Sequence, residues 1–168
     1  MATKALKSAS FVASVILIVV AIILSVATYN RWLVLRFEVG PVYFSHLLGW
    51  IGALFIAVYS PIYYYLKRRN PDKLKTLLNI HSFGNLIAFI FISMHFAQQM
   101  GRPADFFPNL GTGLALFIAV CTLATTGILR RFQLGKQFIG YYRTLHVGAT
   151  MTFYIIVIIH ILHGIGVI

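Results

Sequence analysis

The sequence predicts an all-α membrane protein, a five-helix transmembrane bundle that forms a single domain over residues 1–168. Hydrophobic residues make up 60 % of the chain and charged residues 10 %, where a soluble domain carries roughly 25 % charge. The apolar residues fall in five runs, each close to the ~20 residues that a helix needs to cross a bilayer core. No polar stretch between the runs is long enough for a separate soluble domain.

The first run extends from Phe11 to about Tyr29 and follows Lys4 and Lys7. Ser25-Val26-Ala27 resembles a signal-peptide cleavage site, but the run is longer than the roughly 7–15 apolar residues of a signal core, so a retained helix is expected. The second runs from Pro41 to about Leu66, the third from Leu74 to about Gln99, and the fourth from Leu110 to about Leu129. The fifth runs from Tyr141 to Ile168.

Fourteen Lys and Arg against three Asp and Glu give a net charge of +11. The basic residues sit mainly in short loops between apolar runs, so membrane topology and not a nucleic acid partner accounts for them. The second-to-third loop holds Lys67, Arg68, Arg69, Lys73 and Lys75, and the fourth-to-fifth holds Arg130, Arg131, Lys136 and Arg143. The other two loops hold Arg31, Arg36 and Glu38, and Arg102 and Asp105. Basic loops stay in the cytoplasm. A multi-pass protein of the cell membrane is expected, with a cytoplasmic N-terminus and an outside C-terminus. Spans three and five then run parallel.

The lone cysteine, Cys121, lies inside an apolar run, where core packing explains it. It allows neither an internal disulfide nor a C-x-x-C-H attachment site for covalent haem. The sequence has no Gly-rich phosphate loop, nucleotide fingerprint or Ser/His/Asp arrangement, so no catalytic residues are assigned.

All six histidines, His46, His81, His95, His146, His160 and His163, fall within the runs. Ionisable residues at membrane depth mark functional sites by default. His81 and His95 are fourteen residues apart on span three, and His146 and His160 are fourteen apart on span five. At 100° per residue, fourteen steps come within about 40° of whole turns, so each pair shares a helix face, and its members are about 21 Å apart along the axis. On parallel helices His81 matches His146 near the cytoplasmic side, and His95 matches His160 near the outer side. Each level offers two imidazoles, which suits axial ligation of a haem iron. Two non-covalent haems b between spans three and five are therefore expected. Histidines that only hydrogen-bond between helices, and a zinc or copper ion, are the alternatives; no carboxylate or thiolate joins either level.

A haem needs room, and Gly84, Gly148, Gly49, Gly52, Gly113 and Gly127 could provide it, although close helix packing explains each as well. Its propionates would seek cations. Arg68, Arg69, Arg130, Arg131 and Arg143 are the inner candidates, and Arg31, Arg36 and Arg102 the outer ones. Each is equally well read as a topology charge. His46, at about the depth of His95, and His163, one turn beyond His160, are placed to border the outer haem, to help bind a quinone or oxidant, or in one case to replace His160 as ligand. A histidine at the polar interface is the plainer reading of both.

The run Thr126-Gly127-Ile128-Leu129-Arg130-Arg131, then Tyr141-Tyr142-Arg143-Thr144-Leu145-His146, then His160, resembles the ferric reductase-like transmembrane domain, which includes ferric reductases, NADPH oxidases and the haem subunit of bacterial methionine-sulfoxide repair. The resemblance covers about residues 41–168 and implies haem ligands at His81, His95, His146 and His160. The family plan has a sixth helix and often a flavin- and nucleotide-binding domain, and neither is read here. Cytochrome b of quinol-oxidising complexes uses a similar two-helix histidine plan.

The expected function is that of a di-haem b-type cytochrome, an oxidoreductase or electron-transfer subunit that passes electrons across the membrane. Its expected partners are membrane lipid and a redox partner, a flavoprotein or quinone. The alternatives are a quinol-interacting cytochrome b anchor of a larger redox complex, and a structural subunit whose haems stabilise the fold.

Overall fold

The computed structural model describes residues 2–103, 105 and 111–167, with side chains from Ala9 onward. Five long helices dominate it: α1 (Ala2–Tyr29), α2 (Phe44–Arg69), α3 (Leu74–Met100), α4 (Gly111–Arg131) and α5 (Ile139–Gly164). Each is long and apolar enough to cross a membrane.

The described boundaries follow local chemistry. The sequence places the start of the second run at Pro41, but residues 42–43 form a strand, β2 (Val42–Tyr43), paired antiparallel with β1 (Glu38–Val39) through Gly40 at φ 61°. Helix α2 starts at Phe44 and continues through Lys67, Arg68 and Arg69. Cations in a last turn face the negative end of the helix dipole, which favours that extension. A short 3-10 turn at Pro71–Lys73 leads into α3. Before α5 a second one, Lys136–Phe138, follows Gly135 in the left-handed conformation, φ 61°. The expected start of the fourth run, Leu110, and the end of the fifth, Ile168, lie outside the described residues.

The chain forms two compact units, Val12–Pro108 and Met1–Phe11 with Asn109–Ile168. In the first, α2 packs against α3, and Ala21, Leu35, Leu48, Ile90 and Met94 form a buried cluster with α1 and the following loop. That loop is tied down by polar groups. Buried Gln98 accepts from the Leu35 N–H at 3.2 Å, and the Ser45 N–H donates to the Leu35 carbonyl at 3.3 Å. In the second unit α4 packs against α5, with Phe153 and Val157 buried.

Elsewhere the helices present large apolar residues outward, such as Ile16, Ile23, Leu54, Ile118, Ile155 and Ile158. Hydrocarbon covers such a surface at no hydrophobic cost, whereas water does not. The fold is that of a multi-pass helical membrane protein.

Candidate functional site

Helix α5 carries its two site histidines on the face turned to α4. The His146 Nδ1 lies 2.9 Å from the Thr126 hydroxyl, and the His160 Nδ1 lies 3.1 Å from the Thr112 hydroxyl. A glycine follows each threonine. A Cβ on Gly127 would stand 3.6 Å from His146 Cε1, and one on Gly113 would stand 3.3 Å from His160 Cε1. The Thr-Gly pairs, at 112–113 and 126–127, are themselves fourteen residues apart. Antiparallel α4 therefore repeats the histidine spacing of α5 with a matching pair of hydroxyl and gap. Thr112 and the repeat of the Thr-Gly pair escape a reading that starts from the histidines, although both are visible in the sequence.

The hydroxyl direction sets the proton on His146. Thr126 Oγ1 donates to the Thr122 carbonyl at 2.6 Å. Its single hydrogen is thereby used, so towards His146 it accepts from Nδ1–H. The basic lone pair of that imidazole is then on Nε2.

His95, on α3, reaches the same state by another route. Its Nδ1 lies 3.0 Å from the Ser45 carbonyl on α2. A carbonyl only accepts, so Nδ1 carries the proton and Nε2 the lone pair. Gly49 backs this ring as Gly127 and Gly113 back the others, since a Cβ there would meet His95 Cγ at 2.9 Å. His46 lies beside it, with ring centroids 5.3 Å apart and the Gln99 amide 3.4 Å from its Nε2.

His81 departs from this pattern. Its ring stacks on Tyr63, with centroids 4.3 Å apart and planes 11° apart. The Asn85 amide, one turn on, approaches its ring nitrogens at 3.4 and 3.5 Å, the long edge of hydrogen bonding. Asn85 Oδ1 is buried without a hydrogen-bond partner among the described residues. Gly84, expected to clear space beside His81, is filled by Phe55. Gly148 has nothing within 4 Å of a Cβ, and Gly52 meets the Ala88 carbonyl.

The candidate cations divide. Arg130 is near enough to act on the charge of His146, whereas Arg143 is exposed. Arg68 lies over Tyr64, 4.2 Å from the ring centre, and also bonds its hydroxyl; Arg69 lies over Tyr65 at 5.1 Å. Arg131 lies over Phe132 at 5.5 Å. His163 is exposed, one turn beyond His160. Among the described residues no three His, Cys, Asp or Glu come together to hold a metal ion, so a zinc or copper site built from such a cluster has no counterpart there. Compared with protein-family models, curated proteins and solved structures, the chain gives no match.

Proposed function

We propose that the chain is a di-haem b-type membrane cytochrome, a transmembrane electron-transfer or reductase subunit that resembles the ferric reductase-like domain. In this reading His81 and His146 ligate one haem, and His95 and His160 the other. The N-terminus is cytoplasmic and the C-terminus outside, so the His81–His146 level is the inner one. The observation that carries the reading is the fourteen-residue interval, which recurs in the histidines of α3, the histidines of α5 and the Thr-Gly pairs of α4.

The local chemistry fits axial ligation. An iron-ligating imidazole needs its lone pair on the ligating nitrogen and a partner that orients the other N–H. His146 and His95 meet that need, with Nδ1–H donated to Thr126 and to Ser45. The glycines bring the neighbouring helix close behind three of the rings and limit their rotation. His81 has the weakest such support, an amide at 3.4 Å, and the buried Asn85 Oδ1 beside it awaits a donor. Arg130 is near enough to His146 to neutralise a carboxylate there. A bound haem supplies a reversible one-electron iron couple. The chain holds the ligands about 21 Å apart along each helix.

A second reading, an anchor that exchanges electrons with a quinol, draws on His46. Together with Gln99 and Tyr43, whose ring centroid is 6.0 Å from that of His46, it sets polar side chains beside His95, as a quinone carbonyl would require.

Separable sites are the test. His95→Ala or His160→Ala should each abolish one haem's reduced α-band and largely spare the other's. His81→Ala or His146→Ala should do the reverse. Loss of the same haem from His81→Ala and His95→Ala would refute the pairing by level.

A further inference from the structure

Three arginines lie in the loop after α1 and beyond the end of α3. Arg31 takes a left-handed conformation, φ 61°, and its Nε donates to the Gly101 carbonyl at 3.0 Å. Gly101 lets the two helix ends meet backbone to backbone, since a Cβ there would stand 2.6 Å from the Tyr29 carbonyl. Beside this contact is a cavity of about 400 Å³, lined by Tyr29, Asn30, Arg31, Met100, Gly101 and Arg102.

Arg102 is the anomaly. Its Nε is buried with no hydrogen-bond partner among the described residues. Burial, and after it the nearby Arg36, hold its guanidinium below the usual arginine range, while Tyr43 acts the other way; among the described residues no carboxylate acts on it. A buried charged donor without an acceptor is unfavourable, and such groups are normally satisfied. Arg36 is near enough to repel that charge, and an anion would relieve both the repulsion and the unmet donor.

The surroundings indicate which anion. Trp32 is 79 % exposed and Tyr29 52 % exposed, on either side of Arg31. Exposed Trp and Tyr at the end of a membrane helix mark the headgroup layer. Phosphate oxygens lie at that depth, and the planar guanidinium fork suits them.

We propose that Arg31, Arg36 and Arg102 form a binding site for the phosphate of an anionic phospholipid headgroup. The site does not depend on the haem reading and stands if that fails. The test uses the full chain, delipidated in mild detergent. Thermal unfolding is followed against added phosphatidylglycerol, phosphatidylcholine or inorganic phosphate, and bound lipid is counted by native mass spectrometry.

Phosphatidylglycerol should bind and raise the unfolding temperature, with phosphatidylcholine and free phosphate far weaker. Arg102→Gln should weaken phosphatidylglycerol binding roughly tenfold, as the loss of a charged hydrogen bond implies. Should that variant not fold, the exposed Arg36→Gln, which leaves the buried group in place, should still weaken binding. Equal stabilisation by phosphatidylcholine would overturn the proposal, as would stabilisation by inorganic phosphate alone or unchanged binding in a folded variant. Loss of haem with lipid binding intact would assign the arginines to a haem carboxylate instead.

Discussion

The protonation of an imidazole decides what it can bind, and in this protein the proton is set one hydrogen bond away from the ring. Thr126 gives its only hydrogen to its own helix and so must receive the Nδ1–H of His146. A bond of this kind is worth about 1 kcal/mol, and loss of such a partner typically weakens a metal centre by about 10–100-fold. In the proposed di-haem reading, Thr126→Ala should therefore loosen haem by that factor at the His146 level alone, and Thr126→Ser should restore it, as read by haem titration of the apoprotein. Equal effects of alanine and serine would mean that the hydroxyl has no such role. The histidines are legible in the sequence because they are rare at membrane depth and repeat their interval. Their partners are harder to see. Threonine in a membrane helix commonly bonds a carbonyl one turn back, and the fourteen-residue repeat of the Thr-Gly pairs does not by itself say that Thr112 and Thr126 will also meet histidines on α5.

At the scale of the elements, glycine separates residues that look alike in sequence. Gly113 and Gly148 both read, from the chain alone, as room for a large cofactor. Gly113 in fact lets α4 close on the His160 ring, whereas Gly148 faces open space. Gly113→Val should overpack the α4–α5 contact and cost about 1–3 kcal/mol. Gly148→Ala should be neutral or slightly stabilising, since Ala is the better helix former. Thermal unfolding of the two variants checks this, and equal losses would show that the two glycines face alike surroundings. The existence and type of all five helices follow from length and composition. Their ends do not, because α2 gives up 41–43 to a hairpin with 38–39 and runs on through three cations, and no break in the apolar run marks either boundary.

Among the described residues, five apolar helices are joined by unequally charged loops. Five crossings would put the termini in opposite compartments, and in the topology proposed above the basic loops after α2 and α4 lie in the cytoplasm with the N-terminus. Reporter fusions at the two ends should report inside for the N-terminus and outside for the C-terminus. Both ends on one side would contradict the proposed topology, and with it the pairing of levels. Charge bias of this kind is legible without a fold, because it concerns only which residues border each apolar run. Which histidine of α3 serves which histidine of α5 is a question of arrangement that spacing alone can only propose. The central claim is that the interval of fourteen marks two sites, each completed by one imidazole from each helix. The pyridine haemochrome assay on the purified full-length protein measures this most directly. The account predicts two non-covalent haems b per chain. One haem, or none, would contradict it.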